Sequence, residues 1–193
     1  DNTLYAKTIM ATGDSITASS ASNPEWNYVK QIADKQSMTY ENKAIWGSVF
    51  PRGISTENGA IPSVLDTIDA MRDDADFVVL SGGINDFCYM EDGVEPFGEI
   101  SGGYEAELDE GTFCGAFESM LKKAILKWMG KKILFVIEHK MVSNLSLTGK
   151  SVEEKYLPTT IKMLEKWGIP YVNLYNDVPP LGIMPEFRDR YTW

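Results

Sequence analysis

The sequence predicts an α/β protein built on a parallel sheet with helices on both faces. Three observations predict it. Short apolar runs alternate with longer amphipathic stretches along the chain, the order that layers helices on a parallel sheet. The run Lys132–Glu138 (KILFVIE) is almost continuously apolar, as a central strand covered on both faces requires. Turn-forming residues follow the apolar runs, Gly13-Asp14-Ser15 after the first and Ser81-Gly82-Gly83 after the third.

Taken in order, Lys7–Thr12 (KTIMAT) reads as a buried strand ending in a tight turn. Pro24–Ser37 carries Trp26, Val29, Ile32 and Ala33 at helical spacing behind a Ser-Asn-Pro start, which suits a helix N-terminus. Met38–Ala44 is the second strand, and Ile61–Met71 places Ile61, Val64, Leu65, Ile68 and Met71 on one helical face. Phe77–Leu80 (FVVL) is the third strand. Phe113–Met129 repeats Phe117, Met120, Leu121, Ala124, Ile125 and Trp128 at spacings of three and four, and Gly130 stops that helix. After the fourth strand, Lys132–Glu138, a helix is expected over Ser151–Trp167, with Pro158 kinking its first part and Gly168 ending it. Pro170–Leu174 is the fifth strand. No internal repeat or low-complexity linker divides the chain, so residues 1–193 read as a single domain.

Charge narrows the function classes. Eighteen Lys and Arg stand against 28 Asp and Glu, for a net charge of −10 and a pI near 4.6. A nucleic-acid or anionic-membrane surface needs clustered cations and is not expected. From Asp73 to Leu121 there are thirteen acids and no Lys or Arg, so the remainder of the chain carries a net +3. Residues 87–112 are read as an acidic, glycine-bearing insert: either a solvated loop or a lid or wall that biases which substrates approach. No run of about 18 apolar residues suggests a membrane span. The single histidine, His139, excludes a two-histidine metal site, and neither metal nor cofactor is expected. Cys88 and Cys114 are too far apart for a CxxC motif, and spacing leaves pairing or free thiols open. A chain starting at Asp1 without a basic segment and apolar run is compatible with export; the expectation leans to a secreted or cell-surface, bacterial-type protein.

Ligands of such sheets bind beyond the carboxyl ends of the strands, which directs attention to four places. Gly13-Asp14-Ser15-Ile16-Thr17 puts a hydroxyl just after the first strand, near a backbone N–H that could face an oxyanion. Asn42-Lys43-Ala44-Ile45-Trp46-Gly47-Ser48 follows the second, with Gly47 able to present its N–H unobstructed. Gly82-Gly83-Ile84-Asn85-Asp86 follows the third and offers the Asn85 amide. Glu138-His139 follows the fourth. Singly, each also reads as a turn or cap: Asp14 and Asp86 as acceptors holding their own turns or as substrate contacts, and Trp46 as rim packing or a platform.

Jointly, these residues resemble the SGNH (GDSL-type) hydrolase superfamily of lipases and esterases. Gly13-Asp14-Ser15 matches its first block, Gly47 its second-block glycine, and Gly83-Ile84-Asn85-Asp86 its G-x-N-D block, and block order and strand placement fit over essentially the whole chain. The resemblance implies a three-layer α/β/α sandwich with a five-stranded parallel sheet in flavodoxin-like order 2-1-3-4-5. It implies Ser15 as nucleophile, with the N–H groups of Ser15 and Gly47 and the amide of Asn85 forming the oxyanion hole. The family's D-x-x-H block, carrying the base histidine and its aspartate, does not occur in these 193 residues. That His and Asp are therefore expected beyond Trp193. His139 would have to reach across two strands, roughly 9–10 Å at ~4.8 Å per strand, to serve instead.

The function expected is cofactor-free hydrolysis of a small acyl ester, acetyl foremost and carried on a small molecule or a carbohydrate, through an acyl-enzyme. Asp14, Trp46, Gly83, Asp86 and His139 are weaker candidates for substrate contact. The rival is a catalytically silent SGNH-like module that binds glycans or serves a structural role. A nucleotide-binding or response-regulator domain fits poorly, because no phosphate-binding glycine loop follows the first strand.

Overall fold

The computed structural model describes residues 2–19, 27–140 and 151–179. Trp26, the Pro24 helix start and the Arg188–Trp193 end of the chain lie outside them.

In chain order the strands are β1 Thr8–Thr12, β2 Thr39–Asn42, β3 Ser55–Thr56, β4 Gly59–Ala60, β5 Phe77–Ser81, β6 Lys132–Ile137 and β7 Tyr171–Asn173. The helices are α1 Ser15–Ala18, α2 Tyr28–Gln36, α3 Val64–Ala70, α4 Ile84–Glu91, α5 Phe113–Lys127, α6 Leu157–Trp167 and α7 Leu174–Asp177. Five strands form one parallel sheet in the order β2-β1-β5-β6-β7, which is the 2-1-3-4-5 order expected. β3 and β4 make a separate antiparallel hairpin.

Side chains alternate across the sheet as the pleat demands. Met10, Val78, Leu80, Phe135 and Ile137 point to one face, where they meet Leu65 and Ile68 of α3, Phe113, Phe117 and Leu121 of α5, and Met163 and Leu164 of α6. Ile9, Ala11, Val79 and Val136 point to the other, against Val29 and Ala33 of α2. The result is a three-layer sandwich. The first face holds the aromatic centre of the core, with Phe50 edge-on to Phe117 at 4.9 Å between ring centroids.

Helix ends follow local rules. Ser63, Thr112 and Asn27 cap α3, α5 and α2 by accepting backbone N–H groups of Leu65, Gly115 and Lys30. The kink expected at Pro158 takes the form of a π-helical turn, Val152–Tyr156, that opens into α6 with the proline in its first turn. There the absent proline N–H disturbs least.

The acidic stretch is tied into the fold by cations from outside it. Arg52 bonds Glu110 and reaches Asp66 (2.8 Å) and Asp69 on α3. Glu118, wholly buried on α5, binds Lys166 of α6, the Trp167 indole N–H at 2.8 Å and the Ser101 N–H at 2.6 Å. Burial alone would raise its pKa, but those donors together hold it below the usual carboxylate range. Phe97 stacks on Phe113, and Tyr104 donates to the Lys166 carbonyl, so residues 97–104 lie along α5 and α6. Both cysteines are free thiols.

Candidate active site

β1 ends in a turn that only glycine permits. A Cβ at Gly13 would stand 2.8 Å from the Ser81 carbonyl oxygen, so the chain passes the end of β5 in contact with its backbone. Asp14 then caps α1, its Oδ1 accepting the Ile16 N–H at 3.0 Å. Ser15 is the first helical residue, half-buried, and its own N–H has no intrahelical acceptor. The far end of this turn is clamped. The Thr17 carbonyl accepts Nδ2 of Asn27 (2.6 Å) and of Asn42 (2.7 Å).

The other two motif turns are bound to the first. The Gly13 carbonyl accepts the Ile45 N–H and the Ser48 hydroxyl, both at 3.0 Å. The Ser48 carbonyl in turn accepts Asn85 Nδ2 at 3.0 Å. An amide nitrogen carries two hydrogens. One is therefore committed to Ser48, and the other has no acceptor among the described residues. Gly47 adopts φ +71°, a left-handed conformation that favours glycine, and none of the described residues lies within 4 Å of where its Cβ would be. Gly13, Ser48 and Asn85 thus link the turns that follow β1, β2 and β5.

Beneath the turns lie four buried carboxyls. Asp14 is 0% exposed, Asp86 1%, Glu95 4% and Glu138 8%. Asp86 Oδ1 accepts the Phe50 N–H at 2.7 Å, and its carboxyl contacts Glu95. Burial raises the Glu95 pKa, and the neighbouring Asp86 charge raises it further, so Glu95 holds the proton of that pair. Asp14 contacts Glu138 in the same way. Asp14 and Asp86 are thereby acceptors that hold turns and are shut off from solvent.

Among the weaker candidates, Trp46 stands at the rim beside Gly47, 50% exposed, with its indole N–H donated to the Ser19 carbonyl at 3.0 Å. Gly83 sits at the start of α4 against the Phe87 ring. His139 follows β6, two strands from β1; burial draws its pKa below the usual range, and its enclosed Nε2 has no partner among the described residues. Among the described residues no group of three or more His, Cys, Asp and Glu side chains is placed to hold a metal ion. No helix in the described residues is long and apolar enough to cross a membrane.

Motif reading assigned no individual role to Asn42, Ser48, Glu95 or Glu138. Glu138 had a signal, because an acid closing the apolar run of a central strand is buried by its position. The Asn42 and Ser48 contacts carry no local signature, since their partners lie 25 and 35 residues away.

No protein-family model and no curated protein sequence matches the chain. Solved structures do. A protein from Lactobacillus plantarum superposes with a TM-score of 0.75 at 23% identity, over 98% of this chain and 86% of that one. A candidate GDSL-like lipase from Bacteroides ovatus gives 0.69 at 15% identity, over 92% and 89%. A family two carbohydrate esterase from Clostridium thermocellum, solved with cellohexaose, gives 0.56 at 16% identity, over 88% of this chain and 54% of that one. The fold is that of the SGNH (GDSL-type) hydrolases.

Proposed function

We propose that the protein is a serine esterase of the SGNH type, acting on a small acyl ester, acetyl foremost, without a cofactor. The observation that carries this reading is the bonded series Gly13–Ser48–Asn85, which couples the turn bearing Ser15 to an amide whose second N–H has no acceptor among the described residues. In the proposed reaction Ser15 Oγ attacks the ester carbonyl as its proton passes to the histidine of the D-x-x-H block expected beyond Trp193. The Ser15 and Gly47 N–H groups and the Asn85 amide receive the oxyanion. Collapse returns that proton to the departing alcohol, and water then releases the acid from the acyl-enzyme by the same route.

A carbohydrate as the alcohol half is supported by the likeness to carbohydrate esterases and by half-exposed Trp46, whose face suits a sugar ring. The acidic surface of residues 87–112 favours neutral or cationic esters over polyanions. The test is hydrolysis of p-nitrophenyl acetate, butyrate and octanoate, and of acetylated xylan oligomers, by full-length protein and Ser15→Ala. Turnover should fall from acetate to octanoate and vanish in the variant. Equal rates for both proteins would remove Ser15 as nucleophile, and no turnover by either would leave the binding-module reading.

A further inference from the structure

All four carboxyls buried beneath the turns have oxygens that no ordinary donor among the described residues satisfies. Asp14 Oδ2 and Glu138 Oε2 are both enclosed and without a hydrogen-bond donor among the described residues. The two side chains nevertheless lie in hydrogen-bonding contact with one another. Two facing carboxylates at no more than 8% exposure would repel strongly, whereas one proton between them satisfies both orphan oxygens at once. No salt bridge from Lys, Arg or His to either group is formed among the described residues.

The position of the pair matters more than its chemistry. Asp14 precedes Ser15, and its other oxygen already holds the Ile16 N–H. Glu138 directly follows β6 and faces the Ile84 N–H, the residue preceding Asn85, while Ser81 Oγ stands 3.5 Å from its Oε1. A single side chain therefore touches the neighbours in sequence of both Ser15 and Asn85. We propose that Glu138, sharing one proton with Asp14, is a positioning residue that fixes the spacing between the Ser15 turn and the Asn85 turn. This rests on the esterase reading of those two turns.

Glu138 keeps the proton. Burial raises its pKa well above the usual carboxylate range, and the Asp14 charge and hydrogen bond add to that. The titratable groups that bear on it are Asp14 at the α1 turn, Asp86 on α4 and Tyr28 on α2, with His139 next in its own chain. Asp14 and Asp86 carry the same sign as ionised Glu138, so loss of the shared proton sets like charges against each other and drives the turns apart.

Glutamine is the discriminating substitution, because its amide can donate to Asp14 but cannot ionise. Wild type should lose kcat on p-nitrophenyl acetate at alkaline pH as the shared proton leaves, whereas Glu138→Gln should keep kcat within about threefold of neutral wild type and show no such fall. Glu138→Leu should lower kcat by about 10–100-fold with KM little changed, as loosened positioning does. Equal loss in both variants, or wild-type kcat in Glu138→Leu, would overturn the assignment; thermal unfolding of each variant identifies loss that comes from misfolding. Infrared difference spectra of wild type against Glu138→Gln at neutral pH provide an arm independent of turnover. A carboxylic-acid C=O band lost in the variant supports the shared proton, and its absence from the wild type refutes it. Failure of the esterase reading registers separately, as Ser15→Ala turning over at the wild-type rate while the infrared band persists.

Discussion

Replacing Asn85 with alanine removes one nitrogen to which the proposed mechanism gives two tasks, and the two leave different traces. The hydrogen directed to the Ser48 carbonyl at 3.0 Å is structural. Ser48 is only 1% exposed, so its acceptor would be stranded away from water, at about 1–3 kcal/mol. For a chain of this size that is roughly 2–12 °C in Tm, at about 2–4 °C per kcal/mol. In the proposed oxyanion hole the second hydrogen acts on the reaction, and losing one such donor should lower kcat by about 10²–10³-fold. KM should change little, because the interaction strengthens as charge develops on the carbonyl oxygen. Steady-state kinetics on p-nitrophenyl acetate and differential scanning calorimetry on the same preparation separate the two effects. A variant with kcat within threefold of wild type, or one whose loss lies wholly in KM, would refute the oxyanion role whatever happens to Tm.

Other perturbations act on stability and thiol chemistry. Gly13→Ala would set a methyl 2.8 Å from the Ser81 carbonyl, an immovable backbone atom, and should destabilise by about 1–3 kcal/mol or more, read from urea midpoints. Glu118→Ala strands Lys166, the Trp167 indole N–H and the Ser101 N–H, and should lose about 3–5 kcal/mol. Because the folded pKa of Glu118 is lowered, its contribution is present above the ordinary glutamate range and disappears as pH falls through the folded value, so Glu118→Gln should flatten the acid limb of a Tm–pH curve. Glu95 has the opposite sign: its raised folded pKa makes stability full below the ordinary range and lower as pH rises, so Glu95→Gln should gain Tm at neutral pH. Burial pushes both thiols up to about 12, and Ellman's reagent at pH near 8 should label Cys88 and Cys114 far more slowly in folded than in urea-unfolded protein, equal rates counting against their enclosure.

The sheet was readable because its strands are apolar and its turns are punctuated by glycine. Phe77–Leu80 and Lys132–Glu138 differ from the observed strands by one residue each. The α4 helix escaped notice because it starts at Gly83 with no capping side chain and carries little apolar periodicity. The β3–β4 hairpin had a local cue in Asn58-Gly59 but is only two residues deep on each side. The motif residues Ser15, Gly47 and Asn85 were legible since each follows a strand at the same end of the sheet. Their supports were not, because Asn42 to Thr17, Ser48 to Gly13 and Glu138 to Asp14 are partnerships created by strand order. Nothing in a local stretch of sequence announces which buried acid will face another.

Among the described residues the two faces of the sheet are unequally furnished, and this divides their resistance to opening. On one side α3, α5 and α6 share a continuous aromatic and aliphatic core, while on the other α2 rests on a small cluster around Val29 and Ala33. Native-state hydrogen exchange should therefore find α2 amides released by a partial opening well below the free energy at which β5 and β6 give up theirs. Asn27, the cap of α2, is one of the two side chains gripping the Thr17 carbonyl. The thinner layer thus holds one end of the Ser15 turn, and fraying of α2 would loosen that turn while the rest of the sandwich stays closed.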